Sequence, residues 1–325
     1  MKYIILFICL VMCLSDKKPP LDLQQFLKIG DYKITYINDD GIFLNAKSLY
    51  PEAESKFWEK HKDMLNENGN LFMTFGGFLF ESGDKKVLMD AGVGPDKTNI
   101  KGLGIVSGGG PFMKNLEKAG VKPEDITDVF FSHLHKDNIG WATIKKNGKY
   151  ELTFPKANYW CNDYEWTAFE RDLKAGVVDE NEDLVDKFYE PVKGVIKFIS
   201  ERTPLSPGLY PIIAAGHSPG HTILKLEAEG KNTWFISDIF QTLVEFEDIM
   251  LFTDTNTSKF SKETRVIILP ELCRGNAIVA AARFGPYVFG KLTDKGKILE
   301  WEACKTKECK YYLDGRHLAF QEEDL

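Results

Sequence analysis

A short apolar strand in this chain runs directly into two histidines that alternate along the sequence. Residues 127–132 read TDVFFS, which indicates a buried strand, and the chain continues as HLHKDN. Along an extended segment alternate side chains point to the same side, so His133, His135 and Asp137 are expected to face a common point. Imidazole and carboxylate groups are typical zinc ligands. The segment therefore predicts a metal site at the end of a buried strand.

Two further motifs supply side chains of the same kind. Residues 216–221 read GHSPGH, and the Ser-Pro-Gly turn can aim His217 inward while His221 lies in support. Asp238 directly follows the apolar run TWFIS, at a position where functional residues are common. Four of the six histidines of the chain fall in the two histidine motifs. For any single histidine a core or surface position is the alternative, but this concentration favours one shared site.

The order of strands and helices predicts two packed sheets. Strands occur in runs in both halves of the chain and helices are interspersed, which favours an α+β fold with helices outside two sheets. Strands are predicted at 31–44 (a hairpin around NDDG), 71–81, 86–90, 127–132, 192–199, 208–214, 221–227, 232–237 and 277–282, with a final hairpin within 289–301. Helices are predicted at 51–66, 111–119, 161–173 and 259–272.

Taken in order, these motifs resemble the metallo-β-lactamase fold superfamily over nearly all of the chain after its first residues. That superfamily is characterised by HxHxDH, a GHTPGH-like turn, an aspartate after an apolar strand and a final histidine. The segment KVLMDAG at 86–92 is similar to the strand before the first motif. The segments GDYKITYINDDG at 30–41 and SKETRVIILPELCRGNAIVAAARF at 261–284 are similar to the branch of lactonases and methyl parathion hydrolase.

The resemblance implies an αββα sandwich, with two central mixed sheets and helices on the outer faces, in a single domain spanning residues 16–325. It also implies the roles of the site residues. These are His133, His135 and His217 for a first metal, Asp238 as the bridging carboxylate, Asp137 for a second metal, and Asp90 and His221 in support.

Two positions depart from the family pattern, and both belong to the second metal site. Asn138 stands where the family has a histidine, and AARFGPYVFGKL, matched to the closing segment, places Arg283 where the family has its last histidine. A guanidinium always carries its charge and pairs well with carboxylates. We therefore predict one zinc ion, with Arg283 in the place of the second ion and paired with Asp137 or Asp238. The alternative is that Arg283 points to solvent.

A third departure concerns the substrate. The lactonases of this group carry a tyrosine three residues after the bridging aspartate, and this chain has Gln241 there. An amide can donate a hydrogen bond but is not a proton source. The change argues against a specific assignment as a lactonase.

The first residues of the chain predict export. Lys2 precedes an unbroken apolar run at 3–14, which is followed by Ser15 and DKK. This run is too short to span a bilayer and has the proportions of a signal peptide covering residues 1–15. The mature protein is then expected to be secreted and extracellular, with no membrane association. An uncleaved signal anchor is the alternative.

Export changes how the cysteines are interpreted. In an oxidising compartment Cys304 and Cys309 could close a small loop, and Cys161 and Cys273 could form a second disulfide bond. A free buried thiol is the alternative for either of the last two. The glycosylation sequon at 256–258 fits the same compartment.

Charge and motifs together limit the possible functions. The net charge of −7 leaves no basic excess to neutralise phosphates, so a nucleic-acid partner is not expected. The motifs favour a secreted hydrolase in which one zinc ion activates water against an ester, lactone or phosphoester of a small molecule. Asp137 would orient the water or accept its proton if Arg283 leaves it free. The alternatives are a secreted binding protein with a structural or vestigial metal and, more distantly, oxygen chemistry at a single iron.

Overall fold

The computed structural model describes residues 25–100, 104–106, 109–176, 184–201, 203–252, 259–275, 277–294, 299–304, 312–313 and 316–317. The predicted signal peptide, the sequon at 256–258 and Cys309 lie outside these residues. No described helix is long and apolar enough to cross a membrane.

The first sheet has seven strands in the order β1-β2-β3-β4-β7-β10-β11. Strands β1 to β4 pair in antiparallel fashion, and β4, β7, β10 and β11 are parallel neighbours. The carboxyl ends of these parallel strands therefore lie at one edge of the sheet. The strands are β1 (Gln25–Ile29), β2 (Tyr32–Asn45), β3 (Asn70–Ser82), β4 (Lys85–Met89), β7 (Asp128–Phe130), β10 (Asn158–Cys161) and β11 (Ile196–Phe198).

The second sheet has six strands in the order β12-β13-β14-β15-β16-β17. Its central pair, β14 and β15, is parallel, and the other neighbours are antiparallel. The strands are β12 (Leu209–Ile213), β13 (Thr222–Ala228), β14 (Lys231–Phe235), β15 (Ile278–Ala280), β16 (Phe289–Asp294) and β17 (Leu299–Ala303). The last two form the final hairpin that the sequence predicts.

Besides the two large sheets, the described residues form three two-stranded hairpins and several helices. The hairpins are β5 (Thr98–Ile100) with β6 (Gly104–Val106), β8 (Thr143–Lys146) with β9 (Lys149–Leu152), and β18 (Tyr312–Leu313) with β19 (Arg316–His317). The α-helices are α1 (Ala46–Leu49), α2 (Ser55–Lys60), α3 (Phe112–Lys118), α4 (Lys136–Ile139), α5 (Asp163–Lys174), α6 (Glu190–Val192) and α7 (Lys259–Leu272). The 3₁₀-helices are Lys62–Met64, Pro123–Asp125, Ser237–Ile239 and Leu243–Phe246, and a π-helix spans Val185–Tyr189.

The two sheets pack face to face, and helices cover their outer faces. Phe130 of β7 faces the second sheet, whereas its neighbours Val129 and Phe131 face an outer cluster with α3 and α5, as the alternation of a strand requires. Between the sheets, the ring of Phe235 lies 4.6 Å from that of Phe80. Helix α7 packs on the outside of the second sheet through Ile268. The predicted αββα sandwich is confirmed.

The predicted hairpin at 31–44 is wrong, because the polar NDDG run is accommodated inside one long strand. Strand β2 pairs with β3 along its length, with a register shift between Asn38 and Asp40. Asp39 lies in this bulge and is buried, where its Oδ2 accepts hydrogen bonds from Val93 N–H at 2.7 Å and from Trp141 Nε1 at 3.0 Å. Asp39 is therefore held inside the fold by these donors, and the NDDG run does not form a turn.

Two other predicted elements are shorter than expected. The helix predicted at 51–66 is reduced to α2 and the 3₁₀-helix Lys62–Met64, because residues 51–54 form a turn and a bend before the helix starts. The strand predicted at 192–199 is limited to Ile196–Phe198, because residue 192 ends helix α6.

The described cysteines are free thiols. Cys161 is fully buried beneath the first sheet, whereas Cys273 lies after α7 on the outside of the second sheet. The predicted Cys161–Cys273 disulfide is therefore wrong, because the sandwich places these residues in opposite outer layers. Cys304 is also a free thiol.

Candidate metal centre

The site lies where the carboxyl ends of two parallel strand pairs meet. In the first sheet, β4 is followed by Asp90 and its neighbour β7 by the 132–138 segment. In the second sheet, β14 is followed by Asp238 and its neighbour β15 by Arg283. His217 comes from the turn between β12 and β13. Distant parts of the sequence meet here because their strands end at the same edge. Ligands commonly bind at such carboxyl edges.

Three of the predicted metal ligands form a compact group. The ligand nitrogens of His133, His135 and His217 all lie within 4.8 Å of one another. His217 Nε2 is 3.0 Å from His135 Nδ1, and the ring centroid of His133 is 4.5 Å from that of His135 and 4.7 Å from that of His217. His133 is fully buried, whereas His135 is partly exposed. The group is therefore reached from solvent on the side of His135.

The protonation of His133 and His217 fits a bound metal. Burial lowers the pKa of His133 well below its ordinary value, and the neighbouring imidazoles lower it further. Burial likewise lowers the pKa of His217, although Asp238 opposes this effect. Neutral imidazole is the form that binds metal. His133 Nε2 and His217 Nδ1 are buried without a hydrogen-bond partner among the described residues, so a metal ion such as zinc would satisfy this group.

Asp90 fixes the loop that carries the first two histidines. The Ser132 N–H donates to Asp90 Oδ1 and the Ser132 hydroxyl to Asp90 Oδ2, both at 2.8 Å. Ser132 Oγ also lies 3.0 Å from His133 Nδ1. Burial raises the pKa of Asp90 to about 7, although hydrogen bonds from Ser132 and Asn138 oppose the rise. Asp90 therefore lies behind His133, where the sequence predicts a supporting residue.

His221 lies beside the three histidines but is engaged elsewhere. Its Nδ1 is 3.2 Å from the carbonyl oxygen of Ala214, and its Nε2 accepts a hydrogen bond from the Asp238 N–H at 3.3 Å. A carbonyl oxygen only accepts, so the proton of His221 is on Nδ1. Both ring nitrogens are used, which places His221 in support of the turn and of Asp238.

Arg283 lies between the two carboxylates, as the sequence predicts. Its Nε donates to Asp238 Oδ1 at 3.1 Å, its Nη2 donates to Asp238 Oδ2 at 2.8 Å, and Nη2 also forms an ion pair with Asp137. The guanidinium lies over the ring of Phe75, 4.5 Å from its centroid. The side chain of Arg283 is 4% exposed. The alternative, in which Arg283 points to solvent, is wrong.

Asp137 reaches Arg283 from a helix. Helix α4 begins at Lys136 with His135 as its N-cap residue, so the chain stops being extended directly after the second histidine. The expectation that three alternate residues share one extended face is wrong for Asp137. The Asn138 side chain hydrogen-bonds Asp90, and its Oδ1 faces Arg283 Nη2 at 3.5 Å. A neutral amide fits between a cation and a carboxylate because it both accepts and donates.

Arg283 and Asp238 shift each other's pKa. Burial alone would lower the pKa of Arg283, but Asp137 and Asp238 raise it above its ordinary value. Burial alone would raise the pKa of Asp238, but Arg283 and His217 hold it well below its ordinary range. Asp238 Oδ2 also accepts from Gln241 Nε2 at 3.1 Å and lies 3.5 Å from His217 Nε2. The Asp238 carboxylate is thus beside the histidine group and engaged by two donors.

Sequence reasoning missed a buried ion pair behind Gln241. The Gln241 N–H donates to Glu245 Oε2 at 2.7 Å, and Arg265 Nη2 pairs with the same oxygen at 2.7 Å. The Tyr50 hydroxyl donates to Glu245 Oε1 at 2.7 Å. The side chains of Arg265 and Glu245 are both 0% exposed. This pair holds the segment after Asp238, yet no local pattern separates Arg265 from a surface arginine of a helix.

Glu165 is a second residue that the sequence did not reveal. It lies in the first turn of α5, and its carboxylate accepts hydrogen bonds from both histidine loops. An acidic residue in the first turn of a helix is ordinary, because it interacts favourably with the helix dipole. Sequence alone therefore gave no signal for its contacts.

Comparisons with known proteins show what this chain is similar to. Residues 77–230 match a family model for the metallo-β-lactamase superfamily. The solved structure of the hydrolase AbOPH, of the β-lactamase superfamily, covers 90% of this chain and 100% of its own, with a TM-score of 0.73 and 22% identity. Residues 77–230 therefore match the metallo-β-lactamase superfamily, and the described residues have the metallo-β-lactamase fold.

Two more solved structures share the metallo-β-lactamase fold. AidC, a dizinc quorum-quenching lactonase solved with a bound product, covers 87% of this chain and 98% of its own, with a TM-score of 0.72 and 21% identity. A probable metal-dependent hydrolase from Staphylococcus aureus covers 86% and 99%, with a TM-score of 0.71 and 20% identity. At these identities the similarity shows the fold.

One curated relative of known activity is similar in sequence. The N-acyl homoserine lactonase of Bacillus cereus is 30% identical over 142 residues, which are 42% of this chain. The chain spans about half the length of this relative, since the match covers 48% of it. The relative's activity is therefore a starting point for a proposal about this chain.

Proposed function

We propose that the protein is a hydrolase that uses one zinc ion, held by His133, His135 and His217, to cleave an ester-type bond of a small molecule. The observation that carries the proposal is the position of Arg283 between two buried carboxylates, next to an intact group of three histidines. Zinc with three protein ligands supplies Lewis acidity for the attack of water on a carbonyl or phosphoryl group.

Asp238 is the remaining candidate ligand. Its Oδ2 lies 3.5 Å from His217 Nε2, so it is near enough to take part. Both of its oxygens already accept hydrogen bonds from Arg283, and one also accepts from Gln241. These contacts favour Asp238 as an anchor at the edge of the site and leave one zinc position open. An open position is typical of catalytic zinc sites, whereas structural sites are closed by four protein ligands.

Asp137 has a different task in this proposal from the one that the sequence first assigns to it. Asp137 is the general base only if its carboxylate is free, and the structure pairs it with Arg283. Asp137 then serves with Asp238 to hold Arg283 in the site. We expect slower turnover than in relatives with two metal ions.

The relatives indicate which substrates to test first. The similar proteins include an N-acyl homoserine lactonase and the lactonase AidC. In this chain Gln241 replaces the tyrosine expected in lactonases of this group, and its amide donates to Asp238. We therefore propose the class of esters, lactones and phosphoesters, with lactones as the first compounds of the panel.

A second candidate is a binding protein on the same scaffold. The observation that favours it is that both carboxylates near the histidines are engaged by Arg283. With neither carboxylate free as a base, a zinc ion would then organise a surface that binds a small molecule without cleaving it.

Metal content and turnover distinguish the two candidates. The wild type is compared with His217→Ala and with His61→Ala, a control in which the lost imidazole contacts Glu247 outside the site. For a hydrolase we expect one zinc ion per chain and turnover of a lactone, an aryl ester or a phosphotriester, abolished by His217→Ala and kept by His61→Ala. One zinc ion without turnover on any substrate supports the binding protein. Two zinc ions per chain contradict the role given to Arg283.

We also propose that the protein acts outside the cell. The support is the apolar run at 3–14 behind Lys2. The free thiols of Cys161, Cys273 and Cys304 remove the support that disulfide bonds would have added. Expression with residues 1–24 intact in a secreting host, followed by N-terminal sequencing, tests this proposal. A mature chain that begins near residue 16 supports export, and a cell-associated chain that retains Met1 contradicts it.

A further inference from the structure

Glu165 connects the two loops that carry the histidine group. Its Oε1 accepts a hydrogen bond from the Leu134 N–H at 3.0 Å, and Leu134 lies between His133 and His135 in the chain. Its Oε2 accepts from the Ser218 hydroxyl at 2.7 Å and from the Gly220 N–H at 2.9 Å. One carboxylate therefore accepts from both histidine loops, although these loops belong to different halves of the fold.

The surroundings of Glu165 hold this carboxylate in place. Glu165 is 4% exposed and lies in the first turn of α5, whose N-cap residue Asn162 accepts a hydrogen bond from the Tyr164 N–H at 2.8 Å. The turn at Gly220 packs so closely against the start of α5 that a Cβ atom there would overlap the backbone of Glu165. The position of the carboxylate relative to both loops is thus fixed by a helix end and by a close backbone contact.

We propose that Glu165 is a positioning residue that sets the distance between the His133–His135 loop and His217, and thereby the affinity of the site for zinc. The inference rests on the proposed function, because it assumes that these histidines bind the metal. Zinc requires short and nearly equal distances to its nitrogen ligands, so a shift between the loops weakens binding. Groups that orient metal ligands typically contribute about tenfold to a hundredfold in metal affinity.

The contacts explain why a carboxylate is needed here. An ionised carboxylate offers two accepting oxygens, and Glu165 faces donors from Leu134, Ser218 and Gly220. Glutamine has nearly the same shape but carries one accepting oxygen and one donating NH₂ group. In Glu165→Gln the NH₂ group must therefore face a backbone N–H of one loop, and the link between the loops is broken on that side.

The test compares Glu165→Gln with Asp128→Asn. Asp128 is also a buried carboxylate with several donors, among them Trp160 Nε1 at 2.9 Å and Lys85 Nζ at 2.8 Å, but it lies at the opposite end of β7. The readouts are the zinc dissociation constant by chelator competition, the absorption spectrum of the cobalt-substituted protein, and the urea midpoint of the metal-free protein. We expect Glu165→Gln to weaken zinc binding about tenfold to a hundredfold and to change the cobalt spectrum. Asp128→Asn should lower the urea midpoint and leave the zinc constant and the spectrum unchanged.

Each outcome separates this inference from the proposed function. A wild type that binds no zinc contradicts the proposed function itself. A wild type that binds one zinc ion, with the same constant and spectrum in Glu165→Gln, overturns the role of Glu165 alone. If Glu165→Gln does not fold, Ser218→Ala replaces it, since this change removes one donor to Oε2 and keeps the carboxylate. Unchanged zinc affinity and an unchanged cobalt spectrum in Ser218→Ala would then refute the inference.

Discussion

Replacing Arg283 by methionine removes the cation that lies between Asp137 and Asp238. The side chains of these two aspartates are each 2% exposed, so both charges would stay buried without their partner. Removing one partner of a buried ion pair costs about 3–5 kcal/mol, because the remaining charge is left uncompensated. Methionine keeps an apolar contact with Phe75, on which the guanidinium now lies. We therefore expect Arg283→Met to lower the free energy of unfolding by about 3–5 kcal/mol at pH 7.

Urea denaturation measures this loss, since urea is uncharged and does not screen ion pairs. The metal-free protein is used, so that a change in zinc binding does not contribute to the difference. Arg274→Met is the matched control, because Arg274 pairs with Glu271 at the surface and its side chain is 71% exposed. Surface pairs of this kind contribute about 0–1 kcal/mol. If Arg283→Met costs no more than Arg274→Met, the assignment of Arg283 to the place of a second ion is refuted.

Three further perturbations follow from the structure. The double variant Asn138→His with Arg283→His is expected to bind a second zinc ion, and elemental analysis that still finds one ion would contradict this. Burial raises the pKa of Asp39 to about 6, so its contribution to stability is complete below about pH 4 and is lost as the pH rises through 6. A pKa raised by roughly two units corresponds to about 3 kcal/mol. The free energy of unfolding of Asp39→Asn should therefore rise by up to that amount relative to that of the wild type between pH 4 and pH 7. Urea titrations that show a constant difference between the two proteins would refute this. Gly140→Ala would press a methyl group against a backbone carbonyl and should lower the free energy of unfolding by about 1–3 kcal/mol. At Gly194 a Cβ atom meets nothing within 4 Å, so the free energy of unfolding of Gly194→Ala should stay within about 0.5 kcal/mol of that of the wild type. Equal urea midpoints for Gly140→Ala and Gly194→Ala would refute the steric argument.

The candidate site was largely accessible from the sequence because its residues are chemically rare and regularly spaced. Four of six histidines fall in two short motifs, which is enough to indicate one metal group. The departures at Asn138 and Arg283 could be found because the motifs define where histidines are expected. The pairing of Arg283 followed from its place in the family pattern together with charge, since two buried carboxylates require a cation.

The remaining features depend on contacts between distant segments. The bulge at Asp39 is stabilised by donors more than 50 residues away, such as the Val93 N–H. The local pattern NDDG contains no sign of these donors and therefore predicts a turn. The links through Glu165 and Arg265 arise only when the helices dock on the sheets. Cys161 and Cys273 are separated by the layers of the sandwich, and cysteine spacing carries no information about layers. These features follow from packing, which local patterns do not encode.

The guanidinium of Arg283 arrives with the polypeptide, whereas a metal ion has to be captured from the surroundings. Both buried carboxylates therefore have a paired cation as soon as the chain folds, whatever the external zinc concentration. Zinc starvation or a strong chelator would empty the histidine group and leave the neighbouring charge pairs intact. Assembly of this half of the site is thereby independent of metal supply, and under the one-zinc proposal the site would capture one ion fewer than that of a dizinc relative.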